Sequence, residues 1–268
     1  MEENKENATD VIASILYNSL PEEYEQCYSL LSEIVDKTLL LEARAKTILK
    51  WNLRQCTYVP FQNYGAILCP EALQKDGTFY DPIACKTFQY DFSTCSAVGE
   101  RRDPETEPSE LRDCLQNIFI GYVRRSYHEN SAIGVYDLPK QTIAIVIRSS
   151  FIDTSEYQSG SVISHYLYCD NILSGRIESI QHFFEGLNTL CQNRSKLHPT
   201  YIEEDDDQKT AKKILDEIVR FEERWLDSIS EAFSKASEGG LNKLRFQNPS
   251  KRSSINWKKE FTKNDNER

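Results

Sequence analysis

Apolar residues keep a helical period at both ends of this chain and a strand-like period in its middle. From Gln208 to Glu238 there is no Gly or Pro, and Ile214, Ile218, Phe221, Trp225, Ile229, Ala232 and Ala236 recur at helical spacing, which predicts one long amphipathic helix. Leu215, Val219, Leu226 and Phe233 widen the stripe, while Lys212, Lys213, Asp216, Glu217, Arg220, Glu223 and Arg224 leave the other side polar. The acidic run Glu203 to Asp207 suits the positive end of the helix dipole, and Gly239-Gly240 supplies a left-handed stop. At 1.5 Å per residue such a rod is roughly 45 Å long. A sheet or a partner subunit has to lie beneath it.

Three shorter helical patterns open the chain: one around Val11, Ile12, Ile15 and Leu16, a second around Tyr24, Cys27, Tyr28, Leu31 and Ile34, and a third from Thr38 to Trp51. Pro21 breaks the chain before the second, and brief connections predict a small antiparallel bundle. The period then changes. Thr57 to Phe61, Tyr64 to Cys69 and Lys86 to Phe92 are aromatic and β-branched, with turn chemistry at Asp76-Gly77 and Asp81-Pro82, so they read as a small antiparallel layer. Residues 99 to 110, polar and twice broken by proline, read as a linker. A helix follows, with Leu111, Leu115, Ile118, Phe119 and Tyr122 on one face. Strands are expected at Ala132 to Tyr136, Thr142 to Arg148, Val162 to Cys169 and Arg176 to Phe184, with a fifth near Leu187 to Cys191. Short connections make neighbours antiparallel, and the unbroken apolar run Thr142 to Ile147 reads as a central strand covered on both faces, by the long helix and by something else.

Charge sharpens this picture at one end. The chain carries net −10, which argues against wholesale nucleic-acid binding. Residues 241 to 268 nevertheless hold eight Lys or Arg against three acids, net +5, interleaved with Leu241, Leu244, Phe246, Ile255, Trp257 and Phe261. This reads as a detachable cationic amphipathic arm for an acidic surface, or else as a solvated C-terminus. No run approaches the roughly 18 apolar residues of a membrane span, and the polar opening residues are unlike a secretory signal, so a cytoplasmic location is expected.

Little in the sequence asks for catalysis. No phosphate-binding glycine loop, dinucleotide fingerprint, zinc-protease motif or nucleophile elbow occurs. Eight dispersed cysteines form no C-x-x-C, the four histidines are far apart, and the acid run at 203–207 lacks the alternating ligands of a calcium loop. No cofactor or metal is therefore expected. A Cys169 or Cys191 nucleophile with His165 or His182 is the one constellation that adjacent strands would permit, set against the plainer reading of core thiols and strand histidines.

Specific motifs then point to a family. Leu244-Arg245-Phe246-Gln247-Asn248-Pro249, continuing to Arg252, Ile255 and Trp257, resembles the C-terminal signature L-R-R-Q-L-P-V-T-R-x-K-I-D-W of the F-actin capping protein α subunit. His182-Phe183-Phe184-Glu185-Gly186-Leu187-Asn188 resembles the family's H-Y-Y-E-D-G-N turn, and Phe79-Tyr80-Asp81-Pro82 its F-L-D-P. The segment Glu156 to Ser164 departs from the family's N-F-W-N-G-R-W-R-S, keeping Gly160 and Ser164, and Asn242 and Phe246 stand where basic residues are usual.

The resemblance implies an α+β fold: an N-terminal helical bundle (1–55), a small strand layer (56–98), a linker (99–110), a central helix, antiparallel sheet and long helix (111–238), and a mobile basic tail (239–268). It implies pairing with a similar β subunit, the sheets joining under two antiparallel long helices, with Ile143, Ile145, Ile147, Phe221 and Trp225 at the subunit interface. The implied activity is non-catalytic capping of filament barbed ends in the cytoskeleton, with Lys243, Leu244, Arg245, Phe246, Lys251 and Arg252 binding actin and phosphoinositide headgroups competing for the arginines. A divergent adaptor that keeps the fold, caps weakly and serves another partner is the alternative.

Overall fold

The computed structural model describes residues 2–20, 23–104, 107–127, 130–153, 158–183 and 189–238. The chain is α+β, with antiparallel sheets, and forms two compact units, Met1–Pro104 and Glu105–Arg268. Among the described residues no helix is long and apolar enough to cross a membrane.

In the first unit the opening patterns become α1 (Glu2–Tyr17), α2 (Tyr24–Ile34) and α3 (Lys37–Gln55). Asp36 starts α3: its carboxylate accepts from the backbone of Thr38 at 2.9 Å and Leu39 at 3.4 Å, satisfying amides that have no partner inside the helix. Cys56 ends it in the left-handed region, φ 48°. Leu16, Tyr24, Leu31, Leu40, Ile48 and Trp51 make a small core in which α1 packs chiefly on α3. The Trp51 indole donates to the Ser19 carbonyl at 3.3 Å, so its polar edge is satisfied while its rings are buried.

Two small sheets follow, β1 (Thr57–Pro60) with β2 (Gly65–Leu68), and the meander β3 (Phe79–Asp81), β4 (Lys86–Asp91) and β5 (Ser96–Arg102). Strand β5 was not anticipated and reaches into the stretch read as linker. The meander's turns share a spelling ten residues apart, Tyr80-Asp81-x-x-x-Cys85 and Tyr90-Asp91-x-x-x-Cys95. In each, the Asp carboxylate accepts an amide two residues on, from Ile83 at 3.0 Å and from Ser93 at 2.8 Å. The Cys closes each turn at φ 51°, its thiol against the carbonyl three residues back at 3.8 Å. The Arg101 guanidinium lies 3.9 Å from the Phe61 ring centroid, donates to Tyr64 Oη at 2.8 Å and sits 3.6 Å from the buried Asp81 carboxylate, tying the two sheets together.

The second unit holds α4 (Glu110–Ser126), a meander of five long strands and α5 (Asp207–Glu238). The strands are β6 (Ser131–Leu138), β7 (Thr142–Asp153), β8 (Gln158–Cys169), β9 (Ile172–Phe183) and β10 (Thr189–Tyr201), in the sheet order β10-β9-β8-β7-β6. Between β8 and β9, Asp170 and Asn171 both take positive φ, 51° and 61°, the two-residue turn whose twist matches antiparallel strands. One sheet face carries Ile133, Val135, Ile143, Ile145, Ile147, Val162, Tyr166, Leu173, Ile177 and Leu197 beneath α4 and α5. From α5 come Ala211, Ile214, Ile218, Phe221, Trp225 and Ile229, as the helical period requires.

Strand β7 is second from an edge and is buried on both faces within the single chain, since Ala144 and Val146 on its other face are fully covered. It therefore needs no second subunit for cover. That other face opens on β8 to β10, where Ile163 and Leu167 are half-buried and Ile172 and Leu190 are each 43% exposed.

Candidate partner-binding surface

A five-stranded open sheet has two edges, and each edge strand turns alternate backbone groups outward. At β6 the groups at its centre, around Val135, are taken. Arg112 of α4, itself 1% exposed, donates from Nε to the Val135 carbonyl at 2.9 Å. Gln116, one turn on, accepts from the Val135 amide at 2.8 Å and reaches the Ile133 carbonyl from its Nε2 at 3.5 Å. Two polar side chains on the buried face of α4 thus replace a neighbouring strand. Ser109 caps α4 and fixes it on the same strand, donating from Oγ to Asp137 Oδ1 and from its amide to Oδ2, each at 2.8 Å. The sequence reading assigned only apolar residues to this face and missed Arg112 and Gln116, although they sit at helical spacing beside Leu115 and Phe119.

At β10 the edge is open. Among the described residues, no side chain or backbone of another element hydrogen-bonds to its outer side between Leu190 and Lys196. The strand regularly pairs β9 from Thr189 to Leu197, then is shifted by an irregularity between Leu197 and Thr200 that contains Pro199. On the face turned away from α4 and α5, β10 presents Gln192, Arg194 and Lys196, all exposed, and His198 within the irregularity is exposed as well. Among the described residues one carboxylate answers these cations: Glu178 on β9 meets Arg194 at 2.9 Å and Arg176 at 3.1 Å, while Lys196 lies directly across from Arg176. On α5, Leu215, Val219 and Leu226 are half-buried against the same core and follow Glu222 round the helix, on the side turned toward α4.

Beneath α5 lies a polar cluster that the apolar pattern concealed. Glu222 is 2% exposed, and its carboxylate accepts from the hydroxyls of Tyr122, Tyr127 at 2.7 Å and Tyr166 at 2.9 Å, with Ser164 at 3.5 Å. It binds α5 at once to α4, the residue that ends α4, and β8. Burial, and then the nearby carboxylate, push the Tyr127 and Tyr166 phenols well above their usual range. Glu222 follows Ile218 by four residues and precedes Trp225 by three, so its place on the buried stripe was visible in the spacing.

The residues expected at the subunit interface, Ile143, Ile145, Ile147, Phe221 and Trp225, all lie in this chain's own core between sheet and α5. The residues expected to bind actin, Lys243, Leu244, Arg245, Phe246, Lys251 and Arg252, lie outside the described residues. The structure does not assemble the cysteine and histidine pair: Cys191 faces the helices, whereas His165 and His182 belong to the opposite sheet face. Cys169 shares that face but sits at the end of β8, its thiol 3.6 Å from Asp170. Among the described residues no group of three His, Cys, Asp or Glu side chains is placed to hold a metal ion.

Comparison with known proteins agrees with this architecture. The chain is 28% identical over 261 residues to the F-actin-capping protein subunit alpha of Eremothecium gossypii, covering 94% of this chain and 93% of that one. To the subunit of the same name from Yarrowia lipolytica it is 25% identical over 255 residues, covering 94% and 92%. The homodimeric actin capping protein alpha subunit from Plasmodium berghei superposes with a TM-score of 0.67 at 15% identity, over 84% of this chain and 92% of that one, a likeness of fold. The sequence model of the F-actin capping protein alpha subunit matches residues 12–266, nearly the whole chain, and the chain belongs to that family.

Proposed function

We propose that this chain is the α subunit of a heterodimer that binds filament barbed ends and blocks the gain and loss of actin subunits, without catalysis. The observation that carries the reading is the family match, which runs through residue 266 and so takes in the basic stretch after α5. In this reading the open β10 edge receives the sheet of a similar β subunit. Ile143, Ile145, Ile147, Phe221 and Trp225 serve the pairing from beneath, by fixing α5 and β7 in place. Lys243, Arg245, Lys251 and Arg252 meet acidic actin surface, and Leu244 and Phe246 give the arm its apolar contacts. Anionic phosphoinositide headgroups compete for the same cations. The setting is the cytoplasmic cytoskeleton.

The test is co-expression with a cognate capping-protein β subunit, followed by actin elongation from seeds with free barbed ends. The same measurement is made on a chain truncated after Gly240. A stable heterodimer that stops elongation and loses this on truncation is the expected result. A stable heterodimer that leaves elongation untouched would retain subunit pairing and discard capping.

A further inference from the structure

We propose that the charge on β10 selects the strand that joins it: Arg194 and Lys196 favour an antiparallel partner strand carrying carboxylates and disfavour a second copy of this chain. This rests on the reading of the chain as a pairing subunit, and it adds what the partner must present. The question is real for this fold, because the Plasmodium relative is described as homodimeric.

Two copies joined edge to edge by a twofold axis would face each other with the same sheet face, so the axis has to pass through a residue of β10. The fullest overlap of the regular stretch Thr189 to Leu197 puts the axis at Asn193, and Arg194 of one copy then lies on the diagonal from Arg194 of the other. An axis at Arg194 sets those two guanidiniums directly opposite. An axis at Ser195 sets each Arg194 against a Lys196. Moving the axis to Gln192 separates the cations but slides Lys196 and Leu197 past Thr189, where β10 begins. No Asp or Glu occurs anywhere from Thr189 to Tyr201 to offset the repulsion. Glu178, one strand inward, is already shared between Arg176 and Arg194. Pro199, with no amide hydrogen, and the irregularity beside it close the other direction of sliding.

A foreign strand is free of this conflict if Asp or Glu occupies the alternate positions facing Arg194 and Lys196. Both cations are exposed in the single chain, and Arg176, opposite Lys196 on β9, adds to the same field. The neighbouring edge positions Leu190 and Gln192 give such a strand uncharged contacts on the same face.

The test uses the full chain and the double variant Arg194→Glu/Lys196→Glu. A control, Arg125→Glu/Lys140→Glu, makes the same change in net charge at exposed sites on α4 and in the β6–β7 turn, at the other side of the same sheet. Association is measured by sedimentation at low and high ionic strength, first between differently tagged copies of this chain and then with a cognate capping-protein β subunit. Wild type mixed with the β10 variant should associate about tenfold more tightly than wild type with itself, the order expected when cross-strand pairs change sign at two positions. Against the β subunit the same variant should be weakened about tenfold, and both contrasts should shrink at high salt. If the β10 variant behaves like the control in both mixtures, the proposal is overturned. If wild type does not bind the β subunit at all, the subunit reading fails, and the copy-with-copy mixtures still decide whether β10 charge opposes self-pairing. Should the double Glu variant not fold, Arg194→Gln/Lys196→Gln carries the test, with a smaller shift of the same sign.

Discussion

At the scale of single residues, Glu222 is the group on which the second unit is most exposed to damage. Its carboxylate collects hydroxyls from Tyr122, Tyr127 and Tyr166 inside the core. Removing one donor, as in Tyr166→Phe, should cost about 1–3 kcal/mol. Glu222→Ala removes the acceptor that the three hydroxyls share and should cost more, both measured by urea unfolding. The same cluster sets a response to alkali. Tyr127 and Tyr166 have folded pKa values raised above their unfolded value near 10. They hold their protons longer in the folded state, so their contribution to stability is complete below about pH 10 and is lost as pH climbs toward their folded values. Unfolding free energy should therefore fall above about pH 10, less steeply in Tyr166→Phe, and tyrosinate absorbance from these rings should appear only as the chain unfolds. Tyr64, pushed up to about 12 by burial and by its hydrogen bond to Asp81, adds the same sign of dependence in the first unit. The spacing of Ile218, Glu222 and Trp225 disclosed that a carboxylate lay on the buried stripe; it did not disclose the hydroxyls that make this tolerable, because they come from distant stretches of chain.

At the scale of elements, helices and turns follow local chemistry, and the edge strands do not. The long helix, the N-terminal helices and the helix after residue 109 were legible because an amphipathic face repeats over many residues. Strand β10 is longer than the expected fifth strand because half of its residues face water: Gln192, Arg194, Lys196 and His198 dilute the apolar signal that marks a covered strand. Strand β5 was hidden for a similar reason, as its sequence Ser-Ala-Val-Gly-Glu-Arg-Arg carries little apolar character. The clamp on β6 also escaped notice, since an Arg and a Gln on a helix normally read as its wet side. Arg112→Met should leave the buried Val135 carbonyl without its donor and cost about 1–3 kcal/mol. Gln116→Leu should speed hydrogen exchange at the Val135 amide, measured residue by residue. In the first unit, Cys95 closes its turn at φ 51°. Cys95→Gly should be neutral or stabilising by up to about 1 kcal/mol, and Cys95→Val should destabilise by about 1–2 kcal/mol, read as shifts in thermal midpoint.

For the whole molecule, the α+β class and the family were readable from motifs at several points of the chain. The burial of individual apolar residues was not divisible in advance between a core and an interface. Ile143, Ile145 and Ile147 look identical in sequence whether a helix of the same chain or a second protein covers them, and the structure places them under α4 and α5. What the described residues leave for a partner is the β10 edge. Addition of a β subunit should raise the melting temperature of the wild-type chain, by an amount that grows with the logarithm of its concentration above the dissociation constant. The clamp that Arg112 and Gln116 place on β6 has a last consequence, one of valence. A sheet that can accept a strand on one side only is monovalent: once β10 is taken, the joined sheet ends on this side at β6, and assembly stops. With both edges free the same sheet would be bivalent, so a chain lacking both clamping side chains should take up a strand at β6 as well as at β10, and its complexes with a β subunit should sediment as larger species than those of the wild-type chain.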